Sequence, residues 1–122
     1  MRYEVLGDTR LRVTPAEERE IVDGGEASFG PLQMLAGSLA GCTLAVLWSW
    51  ARAVEVPADD LAVEVEWTYA DDPYRVDRFT TRIRWPSLPA EREDRARRVA
   101  GTCTVHHTFE HPPSTEISLE LG

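Results

Sequence analysis

Lysine and asparagine are missing from this 122-residue chain, and glutamine occurs once, at Gln33. Without a lysine amine there is no Schiff base, no pyridoxal anchorage and no P-loop lysine. Without asparagine there is no Asn-x-Ser/Thr glycosylation site. Cationic charge is also scarce: 13 basic side chains, all arginine, stand against 21 acidic ones, and the net charge of −8 disfavours a nonspecific grip on nucleic acid or on an anionic membrane. The GxGxxG, P-loop, GxSxG and HExxH patterns are absent, so nucleotide and triad chemistry have no foothold. The opening residues Met1 to Val5 carry no apolar run of the secretory kind, and a cytoplasmic location is expected. In that reducing compartment the two cysteines, Cys42 and Cys103, are expected as free thiols with a redox or ligand role.

What is present is the composition of one soluble globular domain over residues 1–122, 43% hydrophobic and 28% charged. Its centre is a stretch from Ala27 to Ala51 without a single charge. By length it is a candidate membrane span, and Gly37 and Gly41 have the spacing of membrane helix pairs. Pro31, Gln33, Ser38 and Thr43 argue otherwise, as do flanking strands whose apolar faces need a cover. A buried core helix is expected instead, capped by Gly30 with Pro31 at its first position and ending near Val54.

Before the helix, Tyr3 and Val5, Leu11 and Val13, and Ile21 read as three short strands. After it, Leu61 to Tyr69 and Arg78 to Trp85 alternate apolar and polar residues around a turn carrying Asp71-Asp72-Pro73. A hairpin centred on Pro73 and Tyr74 sets Glu66 against Arg82 and Glu64 against Arg84, with Val65 facing Ile83 and Val63 facing Trp85. Pro89 to Ala100 has acids first and arginines last, the polarity of a surface helix. Cys103, four residues beyond Val99, lies on its inward face if the helix runs past Gly101. Thr104 to Glu110 offers a short turn, and Glu116 to Leu121 an alternating closing strand. The expected order is βββ-α-ββ-α-β, an α+β domain. The central helix is apolar or small-sided nearly all round, so a second copy of the chain is expected against it, Ala36, Gly37, Ala40 and Gly41 allowing a close approach.

Two chemistries suggest themselves. Cys42, next to Gly41, reads either as a small buried hydrophobe or as an approachable thiol, and Cys103 lies at a helix boundary where thiolates are easier to stabilise. The pair is a thinkable redox couple. His106, His107 and His111 with Cys103 have the residue types of a metal site, but their spacing matches no common zinc pattern, and surface or hydrogen-bonding histidines are the simpler reading. No metal and no cofactor is expected.

The stretch Gly30-Pro31-Leu32-Gln33-Met34-Leu35-Ala36-Gly37-Ser38-Leu39-Ala40-Gly41-Cys42-Thr43 resembles the helix of the OsmC/Ohr family, which has a proline, a glutamate, leucines and alanines, then Gly-Cys-Thr. Cys103-Thr104-Val105-His106-His107 is similar to the family's second pattern, Cys-Pro-Val-His and a basic residue. The resemblance implies an intertwined homodimer with paired central helices and two interface sites. It implies thiol peroxidase chemistry: Cys42 attacks an organic hydroperoxide and becomes a sulfenic acid, Cys103 resolves it as a disulfide, and an external dithiol reduces that. It also implies an arginine from the N-terminal hairpin, usually the partner's, beside the thiolate. Arg10 is the choice here, with Arg12 second and Arg19 third. The family glutamate that holds this arginine corresponds to Gln33, or to Leu32 on a shifted alignment, and Thr104 replaces the usual proline. Gln33→Glu is then expected to speed oxidation of Cys42. A rival expectation is a noncatalytic dimer that binds a small apolar ligand in the same pocket.

Overall fold

The computed structural model describes residues 1–25 and 28–122; Ala27, which opens the uncharged run, lies with Glu26 outside the described residues. Three short strands come first: β1 (Arg2–Gly7), β2 (Arg10–Thr14) and β3 (Glu20–Val22). Helix α1 follows over Pro31–Ala53, with Gly30 at the N-cap and Val54 at the C-cap. Then come β4 (Ala62–Ala70), β5 (Arg75–Arg84), a 3-10 turn at Ala90–Arg92, α2 (Glu93–Ala100) and α3 (Thr104–Glu110). The five strands form one sheet in the order β3-β1-β2-β4-β5, antiparallel except for the β1–β3 pair. The domain is α+β, as its sequence predicts.

Alternation decides which face of the sheet is covered. Leu11, Val13, Val63, Val65 and Trp67 point to one side and are almost fully buried. Against them lie Leu39, Ala40, Leu44, Leu47 and Ala51 of α1. By length and composition this helix is long and apolar enough to cross a membrane, but half of that apolar window is buried within the fold. The glycines foreseen as a helix-to-helix contact do another job. Gly37 and Gly41 seat the Tyr3 ring of β1, and a Cβ at Gly41 would lie 2.9 Å from the Tyr3 hydroxyl oxygen. Ala36, Gly37, Ala40 and Gly41 are buried inside the chain itself, while Met34, Ser38, Ala45 and Ser49 make up the uncovered side of α1.

Three expectations need correction. The β4–β5 hairpin pairs Glu64 with Arg82, Glu66 with Thr80 and Val63 with Ile83, a slip of two residues from the expected register. Its loop is Asp71 to Tyr74, with Ala70 opposite Arg75, and an irregularity at Thr68/Tyr69 absorbs one residue. Because the slip is even, every side chain keeps its face, so the apolar pattern alone did not distinguish the two registers. Next, α2 stops at Ala100 instead of running to Cys103, and Cys103 begins a separate helix. Last, residues 112–122 form no strand in this chain: Ile117, Leu119 and Leu121 are 99%, 83% and 92% exposed. Alternation specifies a face but supplies no ladder partner, and Pro112-Pro113 end α3 without one.

Candidate active site

Cys42 sits midway along α1, partly exposed, and Cys103 is fully buried where the chain turns from α2 into α3. Cys103 is extended (φ −60°, ψ 129°) and serves as the N-cap of α3, its Sγ accepting a hydrogen bond from the His106 amide at 3.4 Å. That is the place Ser or Asp usually takes, and a sulfur acceptor there is weaker. Thr104 occupies the first helical position, where proline is favoured but not required, and its carbonyl accepts from the Thr108 hydroxyl at 2.8 Å.

The two thiols are close enough to perturb each other. Burial pushes the Cys103 thiol above its ordinary pKa, and the Cys42 side chain raises it further, while the amides of His106 and Val105 pull the other way. Cys103 therefore rests as a neutral thiol, sealed from solvent, beside a partly exposed cysteine. Further along α1 lies a cleft of about 560 Å³ lined by Met1, Pro15, Leu44, Ala45 and Trp48, with Glu17 and Asp59 also on its wall; Ala45 is one helical turn beyond Cys42, and neither cysteine is among the lining residues. Trp50 turns elsewhere and packs edge-on against Trp85, centroids 6.0 Å apart.

The remaining expected site residues lie apart from the thiols within one chain. Leu11 and Val13 take the α1 side of β2, so Arg10 and Arg12 stand on the opposite face of the sheet. Both reach Glu64: Arg12 at 2.8 Å, Arg10 at 3.9 Å. Arg19 makes no ion pair among the described residues and adjoins the Pro15–Glu17 stretch that walls the cleft. Gln33 is bound at both ends of its amide. Its Oε1 accepts from the Gly30 N–H at 3.0 Å, and its Nε2 donates to the Asp8 carbonyl at 3.2 Å, tying the start of α1 to the β1–β2 turn. His106 and His107 share Glu110, at 3.3 and 3.8 Å, and His111 faces the His107 carbonyl at 3.3 Å. Among the described residues no three His, Cys, Asp or Glu side chains converge into a metal-binding group.

Sequence reasoning missed the capping role of Cys103 and the role of Glu64 as shared acceptor for two arginines. Nothing local flagged either. Cysteine is not among the preferred caps, and Glu64 looks like any outward residue of an alternating strand until β2 is laid beside β4.

The sequence pattern of the "OsmC-like protein" family matches residues 24–118, a span that includes both cysteines. The chain belongs to the OsmC-like family. Among curated proteins none matches it. Two solved structures share its fold. A protein from Psychrobacter arcticus 273-4, described as an osmotic stress induced and detoxification response protein, is 27% identical with a TM-score of 0.62, covering 87% of this chain and 84% of its own. An OsmC-like hydroperoxide resistance protein from Jannaschia sp. CCS1 is 25% identical with a TM-score of 0.62, covering 98% and 90%. The β-sheet wrapped on one long helix, followed by short helices, is thus the OsmC-like arrangement, and the cysteine pair lies where the long helix meets the short ones.

Proposed function

We propose that this OsmC-like chain is a thiol peroxidase for organic hydroperoxides. The observation that supports the reading most is the cysteine pair itself, one thiol reachable from solvent and one buried beside it. The name of the Jannaschia relative, a hydroperoxide resistance protein, points the same way. In the first step the Cys42 sulfur attacks the terminal peroxide oxygen and the O–O bond breaks. The alkoxide leaves and takes up the thiol proton as an alcohol, and Cys42 becomes a sulfenic acid. The Cys103 sulfur then attacks the Cys42 sulfur. Hydroxide departs with the Cys103 proton as water, and a disulfide remains for an external dithiol to reduce.

The apolar wall of Trp48, Leu44, Ala45 and Pro15 suits an apolar peroxide, and Glu17 and Asp59 on the same wall disfavour anionic ones. With Arg10 and Arg12 both held by Glu64 on the far face, the arginine that assists Cys42 comes from a second copy packed on the open side of α1. That copy also covers Met34, Ser38, Ala45 and Ser49 and completes a homodimer.

The test is mass spectrometry before and after one equivalent of an organic hydroperoxide. The parent loses two titratable thiols, Cys42→Ser loses none, and Cys103→Ser stops at a sulfenic acid on Cys42. Thiols that stay unreacted while the cleft takes up apolar molecules would instead support the noncatalytic binder.

A further inference from the structure

We propose that α3 is a redox-gated cover over the Cys103 sulfur: closing the Cys42–Cys103 disulfide draws that sulfur off the His106 amide, and the helix it caps loosens and lets a dithiol reach the bond. The proposal rests on the disulfide step argued above.

In the reduced protein the cover is shut. Cys103 has no exposed surface, so an external thiolate has no path to its sulfur. The cover is also lightly held. Helix α3 spans seven residues, none of them buried; its N-terminal side-chain cap is the Cys103 sulfur at 3.4 Å from the His106 nitrogen, and at its other end the His111 ring faces the His107 carbonyl at 3.3 Å. A helix that short does not hold itself in water and depends on its caps and contacts. Its contacts are Val105 against the core and the Phe109 ring stacked on Phe79 of β5, with centroids 5.2 Å apart.

Disulfide formation acts on the N-terminal cap. Bonding to Cys42 ties the Cys103 sulfur to α1, and in the open state of the gate it no longer holds the His106 amide at the start of α3. The electron count closes: Cys42 sulfenic acid and Cys103 thiol give disulfide and water, and a dithiol reductant then returns both thiols while becoming a disulfide itself. The gate governs attack at the Cys103 sulfur, whereas the Cys42 sulfur is partly exposed and needs no opening of α3.

Hydrogen exchange on the full chain tests this. The protein is oxidised in one sample with tert-butyl hydroperoxide and in another with diamide, and intact mass reports whether the two thiol hydrogens are lost. In the disulfide form the amides of Val105 to Thr108 should exchange roughly fivefold faster than in the reduced form, the scale of a lost helix cap, while β4 amides stay protected. Cys103→Ser keeps an oxygen cap and forms no disulfide, so its α3 amides should not respond to either oxidant. Phe109→Ala, which removes the other anchor, should speed reduction of the disulfide by dithiothreitol several-fold. A disulfide with unchanged or slower α3 exchange overturns the gate and leaves the peroxidase reading intact. A disulfide formed by diamide but not by the hydroperoxide overturns the peroxidase reading, with the gate still judged by exchange. No disulfide under either reagent removes both.

Discussion

Cys103 shows how much a single side chain here answers to its surroundings. Its thiol is held above the ordinary pKa, chiefly by burial, so the folded chain keeps a proton that the unfolded chain gives up sooner. The sign follows: this contribution to stability is full below the unfolded thiol pKa of about 8.5 and is lost as pH rises from there through the folded value. Denaturant unfolding of the reduced protein should therefore show a drop in stability between pH 8 and 10 (roughly the thiol range) that Cys103→Ser does not show. Gln33 is a second case. Read from sequence, Gln33→Glu is expected to speed oxidation of Cys42, because a carboxylate would hold an arginine; its effect on stability is a separate question. The structure adds the Asp8 carbonyl, which only an amide N–H satisfies. A carboxylate there sets oxygen against oxygen, costing about 1 kcal/mol, against a gain of about 0.3–1 kcal/mol at the helix N-terminus. The expected result is little or no net stabilisation at pH 7, and a relative gain below pH ~4.3, where the protonated acid donates again; urea titrations at the two pH values check it.

At the scale of elements, the long helix and its boundaries were plain in the sequence: Gly30-Pro31 marks its start, and the core and membrane readings of the uncharged run both make it a helix. The hairpin register was not, since two registers of equal parity keep the same residues on each face and both set a glutamate against Arg82, Glu66 in the expected one and Glu64 in the observed one. What decided it was the loop at Asp71 to Tyr74 and the irregularity at Thr68/Tyr69, which composition does not encode. The cysteine pair was legible from its two motifs, whereas Glu64 became informative only once β2 lay beside β4 and delivered Arg12 to it. Glu64→Ala should accordingly destabilise by about 1–3 kcal/mol, the range for a charged hydrogen-bond partner, whereas Glu66→Ala, exposed and opposite Thr80, should stay within about 0.5 kcal/mol. Guanidinium unfolding compares the two directly. Gly41→Leu should cost about 1–3 kcal/mol or more because its side chain meets Tyr3 in the same chain. Tyr3→Ala in the Gly41→Leu background should recover part of that loss, which a clash against a second copy would not permit.

Seen whole, the molecule leaves one side of α1 and the row Ile117, Leu119 and Leu121 uncovered, and we propose that a second copy covers both. Sedimentation should give a dimer at micromolar concentration, and removing residues 115–122 should weaken it; a stable parent monomer would contradict this. The absence of a closing strand in one chain is then a matter of which molecule supplies the neighbouring edge, something no single sequence reveals. The sheet order carries a further consequence, for the path by which the chain reaches this shape. Two hairpins, β1–β2 and β4–β5, are each local, yet they become one sheet only at the β2–β4 seam, where the Arg12–Glu64 bond spans 52 positions with all of α1 in between. Closing so long a loop is entropically costly and gives no reward until the seam and the helix dock together. The transition state for folding should therefore contain that seam. Val13→Ala or Val63→Ala should slow refolding in stopped-flow experiments, while changes near Tyr74 at the far hairpin tip should mainly quicken unfolding.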